Sequence, residues 1–304
     1  MKRTRGISPA WLFAAPALFL LIVFLIYPTL WTVRLAFYGG PGFIPTKFVW
    51  FENFTRLFTT DPYFLNTATF PPSGTVINNL IWLFVFVPLV VGLGLVIAVL
   101  AEKVRYESFV KSIVFLPFGI SATAAGVIWL FVYSSNPRVG LINAIMSALD
   151  SGWQSIAFTG DTHWITFAII IAAVWIQTGF VTVILSAALK GISQDVIEAS
   201  RVDGANALQV FLNIQVPMIS TTLGVVIVTM IIFVIKVFDL ILVVGGENGG
   251  PQGSARVLAF TQFVETFHNG RGGYGSAIAV IMMLLILPIM VINVRRFRQE
   301  ESLR

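Results

Sequence analysis

The chain has 304 residues, of which 57% are hydrophobic and only 11% charged, a net charge of +5 and a mean hydropathy of +0.89, values that exclude a soluble globular class. It has no cysteine, which excludes disulfides, thiolate zinc sites and thiol nucleophiles; its two histidines, His163 and His268, are too far apart in sequence to suggest a metal site. No G-x-x-x-x-G-K-[ST] loop, Ser/His/Asp set or pocket-like pair of carboxylates occurs, so the chain by itself is expected to hold no nucleotide, cofactor or metal and to catalyse no reaction.

A bilayer core of about 30 Å needs about 20 mostly apolar helical residues to cross it. Six stretches qualify, over 10–38, 77–101, 109–133, 163–189, 215–243 and 275–294, and predict an all-α integral membrane protein of six transmembrane helices in a single domain, 1–304. The first stretch is too long for a cleaved signal. It has no Arg before Arg34, and no small-residue cleavage pattern precedes Tyr27-Pro28. Residues 39–76 follow as an outer segment in which Phe48, Trp50, Phe51 and Phe54 suit the membrane–water interface. Residues 102–108 make a tight inner turn, and 134–162 a second outer loop with Trp153 and Trp164 as interface anchors. Pro16, Pro28, Pro88 and Pro117 lie in or near apolar runs, which membrane helices tolerate when neighbours re-satisfy the freed carbonyls.

Polar and aromatic groups inside these runs are the candidates for a substrate path. Asn78 and Asn79 begin the second span, Trp175 and Gln177 stand in AVWIQTGF, and Lys236, Phe238 and Asp239 stand in IIFVIKVFDLILVV. A Lys at the centre of a membrane helix costs about 2.5–3.5 kcal/mol on insertion scales. The three-residue spacing puts Lys236 and Asp239 on one helix face, where pairing would offset part of that cost. The alternatives stay open: Lys236 snorkels to the span end, the amides bond neighbouring helices, and the aromatics pack. The cluster Gly245–Pro251 has no lysine and reads as a sharp outer turn.

Between the fourth and fifth spans lies a polar island, GISQDVIEASRVDGANALQVFLNIQVP, at 191–217. Val196, Ile197, Ala199 and Ser200, followed by Leu208, Val210 and Phe211, predict a short helix, a bend at Gly204 and a second helix. Small Ala199 and Ser200 would let another protein approach the backbone, and Gly204 permits a bend that a Cβ opposes. Glu198, Arg201 and Asp203 charge the rim, which makes this a docking element. Glu198-Ala199-Ser200, then Gly204, then Ile214-Gln215-Val216-Pro217 resembles the EAA loop of bacterial ABC-importer permeases, with Ser200 in place of Ala and Val216 in place of Leu. Val237–Ile241 followed by Gly249-Gly250-Pro251 is similar to carbohydrate importers of the maltose-permease type, as is the Trp50–Phe54 run. Ser276–Val280 and Pro288–Arg298 resemble α-glucoside and glucosylglycerol permease subunits. The large outer insertion and extra N-terminal spans of enterobacterial maltose permease are missing, so contacts assigned to them do not carry over.

The resemblance implies a non-catalytic permease subunit of a binding-protein-dependent sugar importer, for an oligosaccharide or α-glucoside. Its partners would be a second permease, two ATP-binding subunits that hold ATP and Mg, and an extracytoplasmic solute-binding protein. A coupling loop over 191–214, with Glu198, Ala199, Ser200, Arg201, Asp203 and Gly204, would receive the ATPase. The expected location is the bacterial inner membrane, in contact with lipid. With both termini cytoplasmic, Lys2, Arg3, Arg5, Lys103, Arg105, Lys111, Lys190, Arg201, Arg295, Arg296, Arg298 and Arg304 face inward. Six basic residues, Arg34, Lys47, Arg56, Arg138, Arg256 and Arg271, then face outward. That charge is a topology signal, since no basic, aromatic-bearing soluble surface suggests nucleic acid. A reading from another class is a stand-alone secondary transporter of a small polar solute. It would call for embedded acidic residues or half-repeats with broken helices, and Asp239 is its one candidate residue.

Overall fold

The apolar runs fold as helices, and a computed structural model describes residues 9–67 and 72–301, with side chains over 13–67 and 72–293. Lys2, Arg3, Arg5 and Arg304 lie outside the described residues, as do the side chains of Arg295, Arg296 and Arg298. In chain order, α1 (Pro9–Leu21) continues through a π-turn into α2 (Tyr27–Leu35). A short antiparallel hairpin, β1 (Tyr38–Gly39) and β2 (Lys47–Phe48), and α3 (Glu52–Thr59) follow. Next come α4 (Thr75–Ile81), joined by a π-turn to α5 (Val87–Ala101), then α6 (Glu107–Phe115), α7 (Ala122–Val132) and α8 (Leu141–Leu149). The long α9 (Ile165–Lys190) leads to α10 (Gln194–Val202), α11 (Ala207–Val210) and α12 (Val216–Met218). The chain ends in α13 (Ser220–Lys236), α14 (Asp239–Gly245), α15 (Leu258–Phe263) and α16 (Gly272–Glu301).

Among the described residues four helical stretches are long and apolar enough to cross a bilayer: Phe13–Leu35, Thr75–Ala101, Ile165–Lys190 and Gly272–Asn293. The other two expected spans are bent pairs, and counting each pair as one gives six. The stretch expected over 109–133 is built as two helices meeting at 100°. Pro117 closes the first half in a 3₁₀ turn, and Ile120 is extended (ψ 138°). Ser121 then restarts the helix by accepting the Ala124 amide at 3.2 Å. The stretch expected over 215–243 is likewise bent and broken. Ala207–Met218 meets Ser220–Lys236 at 74°, and the second helix stops at Lys236 because Val237 is extended (ψ 126°).

The chain divides into two compact units. The first comprises the described residues up to Thr60 together with Thr261–Met283. Its first span is exposed along its apolar length, from Phe13 through Leu30. In this unit the Gly42 amide donates to Gly270 O at 2.7 Å, and buried Glu265 pairs with Arg271. The second unit comprises Asp61–Phe260 and the segment from Leu284. Its centre is α9, buried at positions from Ile165 to Leu189 against α5, α6, α7, α13 and α14. Helix α5 approaches α9 closely at Gly94, where an added Cβ would lie 2.8 Å from Val181 Cβ. Small residues let membrane helices touch backbone to backbone, since lipid supplies no hydrophobic force between them.

Filling that contact is expected to be costly. Gly94→Leu should destabilise the protein by about 1–3 kcal/mol, the usual cost of overpacking, read as a lower thermal midpoint in detergent. An unchanged midpoint would mean that the two helices do not meet at Gly94.

Candidate functional site

The polar island folds as a helix, a turn and a second helix, as its pattern predicts. Asp195 in the first turn of α10 and Arg201 in its last turn each complement the helix dipole. After α10 the Ala205 amide bonds Ser200 O at 3.1 Å and the Gly204 amide bonds Arg201 O at 3.1 Å. This is a Schellman stop with Gly204 (φ +89°) in the left-handed position that glycine favours. Two residues on, Asn206 and Gln209 form a reciprocal capping box, both bonds 2.9 Å. The pattern N-x-x-Q is the signal that sequence reading missed. The turn between α10 and α11 is therefore closed by its own hydrogen bonds.

Its outward face carries Glu198, Ala199, Arg201 and Asp203. Apolar side chains stand beside them, with Val202 87% exposed, Leu208 64% and Leu212 52%. Ser200 is the exception to the expectation. It is buried beside Ile197 and donates to Ile197 O at 2.7 Å, because the three-residue spacing puts both on the inner face of α10. A Cβ built at Gly204 meets nothing within 4 Å, so the space beside the turn is open.

A charged cluster holds the end of α9, from which this loop departs. Glu107 at the start of α6 pairs with Lys111 and, at 2.8 Å, with Lys190 in the last turn of α9. Lys111 also donates to Ser186, whose hydroxyl reaches Glu102 at 3.4 Å. Burial pushes the Glu102 carboxyl above the usual carboxylate range, with Lys111 opposing the shift. The cluster ties the α5–α6 turn to α9. Sequence reading could not find it, because Lys111 and Ser186 are 75 residues apart.

The substrate-path candidates separate. Asn79 spends both ends of its amide on the backbone, donating to Val234 O at 3.2 Å and accepting the Leu258 amide at 2.7 Å. Neighbouring Asn78 donates to Ser254 O at 2.7 Å and to Arg256 O at 2.9 Å. Trp175 is half-buried, edge-on to Trp129 at 5.9 Å, and Phe238 lies 6.2 Å from Phe260. Gln177 is 9% exposed, and among the described residues its side chain makes no hydrogen bond. Lys236 and Asp239 do not share a helix face, because the helix breaks at Val237-Phe238, and among the described residues they form no ion pair. Both are exposed. Each sits where its charge suits the backbone, Lys236 at the C-terminal end of α13 and Asp239 at the N-terminal end of α14.

The charged cluster gives its own test. Glu107→Gln should destabilise the protein by about 1.5–3 kcal/mol, the range for hydrogen bonds to charged groups, and adding Lys111→Met should recover part of the loss. Thermal unfolding of the three proteins at one pH checks this, and a double variant less stable than the single would contradict the shared-anion arrangement.

Residues 65–295 match the family model of the binding-protein-dependent transport system inner membrane component. The chain is similar to the osmoprotective compounds uptake permease protein GgtC of Synechocystis sp., 44% identical over 96% of this chain and 100% of the relative. It is also similar to the alpha-glucoside transport system permease protein AglF of Rhizobium meliloti, 39% identical over 99% of this chain and 86% of that one. The trehalose/maltose transport system permease protein MalF of Thermococcus litoralis is 32% identical over 95% and 94%. In fold, the chain is similar to one in the crystal structure of a bacterial ABC transporter involved in the import of the acidic polysaccharide alginate. The TM-score is 0.76 at 22% identity, over 96% of this chain and 97% of that one.

Proposed function

The chain belongs to the family of binding-protein-dependent transport system inner membrane components, and from that premise we propose that it is a permease subunit of an ATP-driven sugar importer. The cargo class is a neutral α-glucoside, small oligosaccharide or sugar-like osmolyte, which the names of the two relatives at 44% and 39% identity support. The observation that carries the coupling role is the loop over 194–210. It is capped at its turn and exposes Val202 and Leu208 beside Glu198, Arg201 and Asp203. A membrane protein has no folding need for apolar side chains at such a position, whereas an ATPase surface would bury them. Glu198, Ala199, Arg201 and Asp203 would form the contact, with Gly204 setting its shape. ATP and Mg would be held by two copies of the ATPase, and a second permease would complete the translocation path. An extracytoplasmic solute-binding protein would deliver the sugar. Both termini and the loop lie on the cytoplasmic side in this reading.

A stand-alone secondary transporter finds a broken helix at Val237-Phe238, as its class would require, but gives the capped loop no task. Uptake by this chain reconstituted without an ATPase would favour that class over the importer.

Two variants separate strain from docking at Gly204. Gly204→Ala adds only the cost of a left-handed residue, about 1–2 kcal/mol, and should leave most uptake intact. Gly204→Leu fills the open space at the turn and should abolish ATP-driven uptake while the complex still inserts and binds sugar. Wild-type uptake by Gly204→Leu in the reconstituted complex would remove the loop from coupling.

The substrate path rests on Gln177, buried and without an internal partner. A sugar is held by many bonds of about 0.5–1.5 kcal/mol each, so Gln177→Ala should cut uptake up to about tenfold with assembly unchanged. Normal uptake, measured per assembled complex after a ligand screen of the co-encoded binding protein, would exclude Gln177 from the path.

A further inference from the structure

The glycine-rich turn after α14 holds one arginine in a fixed place. Gly249 and Gly253 take left-handed backbones (φ +69° and +73°). A Cβ on Gly249 would lie 2.9 Å from Arg256 Cγ, and one on Gly253 would lie 2.9 Å from Arg256 Nε. The two glycines thus open the slot in which Arg256 lies, 8% exposed. Its amide donates to Gly253 O at 3.2 Å, and its carbonyl accepts from the Asn78 side chain at 2.9 Å. The guanidinium is held as well. Its Nε donates to Asn248 O at 2.9 Å, and it stands 4.5 Å from the centre of the Tyr63 ring. Tyr63 is fixed in turn, with its amide on the Asp61 carboxylate at 2.9 Å and its carbonyl on the Thr75 amide at 2.9 Å.

What this arginine lacks is an anion. Among the described residues it has no carboxylate partner, and its side chain makes no hydrogen bond beyond the one from Nε. Asp61 serves the amides of Tyr63 and Phe64, and Glu247, in the turn itself, forms no ion pair among the described residues. Nη1 and Nη2 take no bond, yet neither is sealed from the surface. Arginines are almost never fully buried unless paired. A planar fork held rigid, with its outer edge free, has the geometry that receives a carboxylate through two parallel bonds. A neutral sugar offers no charge to match it.

The turn is tied to the starts of two spans. Asn78 in the first turn of α4 and Thr166 in the first turn of α9 both donate to Ser254 O, at 2.7 and 3.3 Å. The 194–210 loop departs from the other end of α9, which is 26 residues and about 39 Å long. Arginine and loop therefore stand at opposite ends of one helix. With an ATPase on the loop, the arginine faces the side from which a solute-binding protein arrives. We propose that Arg256, with Tyr63 and Asn248, forms a socket for an Asp or Glu side chain of that binding protein. The occupant rests on the importer reading above, whereas the unpaired guanidinium is a property of the fold.

The test titrates the complete complex in vesicles with the co-encoded binding protein, loaded with sugar, and reads ATP hydrolysis and uptake. Arg256→Gln should raise the half-saturating concentration of binding protein about tenfold and leave the maximal rate within about twofold. Arg256→Lys, which keeps the charge and loses the fork, should fall between. Added salt should weaken the wild type toward Arg256→Gln and move the variant less, a response that a packing role would not give. Because this chain has no cysteine, Glu247→Cys places a single benzophenone label beside Asn248, and light should cross-link it to the binding protein. An unchanged half-saturating concentration for Arg256→Gln, where the wild type responds to binding protein, overturns the socket and leaves the importer reading standing. A lower maximal rate at unchanged half-saturation overturns it too, since Arg256 would then only pack. Cross-linking to the second permease alone overturns the assigned occupant. A wild-type complex indifferent to the binding protein removes the importer reading and its socket together.

Discussion

A peptide group in hydrocarbon has no water to bond, so each place where a membrane helix stops must find its partners inside the protein. The second unit meets this constraint largely with asparagine. Asn79 serves two breaks at once, giving a proton to Val234 O in the last turn of α13 and taking one from the Leu258 amide at the start of α15. Asn78 holds the carbonyls of Ser254 and Arg256 in the glycine-rich segment between them. Outside the spans, Asn143 likewise bridges Ser134 and Ile156 within the 134–162 segment and accepts from the Trp153 indole at 3.1 Å. An amide suits this work because it donates and accepts at once and carries no charge to desolvate. With the backbone groups supplied in this way, α13 can end at Lys236 and the chain can restart at Asp239.

That division explains what the sequence made legible. Among the described residues the six apolar stretches coincide with four long apolar helices and two bent pairs, because crossing a bilayer imposes a length and a composition. The helix–turn–helix shape of the 194–210 loop was legible too, since Gly204 and the apolar spacing around it encode a stop and a restart within a few residues. The bend at Gly119 to Ser121 had a local signal in Pro117, but prolines within membrane helices are common enough that Pro16 and Pro288 lie in helices that continue past them. The break at Val237-Phe238 had none. Neither residue is a helix breaker, and what permits the break is Asn79, 155 residues away from Val234. Asn79, a substrate-path candidate by sequence, spends its amide on these two helix ends. A polar residue in a span announces that it needs a partner, and sequence alone does not say which. Ser200 is a different case. Its burial follows from its three-residue offset from Ile197, and its small size drew attention to approach when the helix phase pointed inward.

The positions of Lys236 and Asp239 have a physical consequence for an importer half. Paired on one face, they would have neutralised each other within the chain. Separated by the break, each is balanced by the helix end it occupies, and both stay exposed. Charges held by dipoles keep their hydrogen-bonding capacity for a neighbouring subunit or a hydroxylated cargo.

Transport by rigid-body alternation requires stiff parts joined at a few places that absorb rotation. In the second unit α9 is the stiff part, 26 residues without a break and buried along most of its length. The Glu107 cluster fixes its C-terminal end to the α5–α6 turn, and the docking loop starts four residues beyond Lys190 with both sides of its turn capped. Only Gly191–Ser193 separate α10 from the end of α9, so a push on that loop is transmitted over a three-residue link. Non-helical residues lie at Gly191–Ser193, where α9 gives way to the loop, and at Ile120, Ile219 and Val237-Phe238. These are the positions where a change in φ and ψ leaves the helices on either side intact, so the same breaks that asparagine makes tolerable in lipid are where the fold can turn.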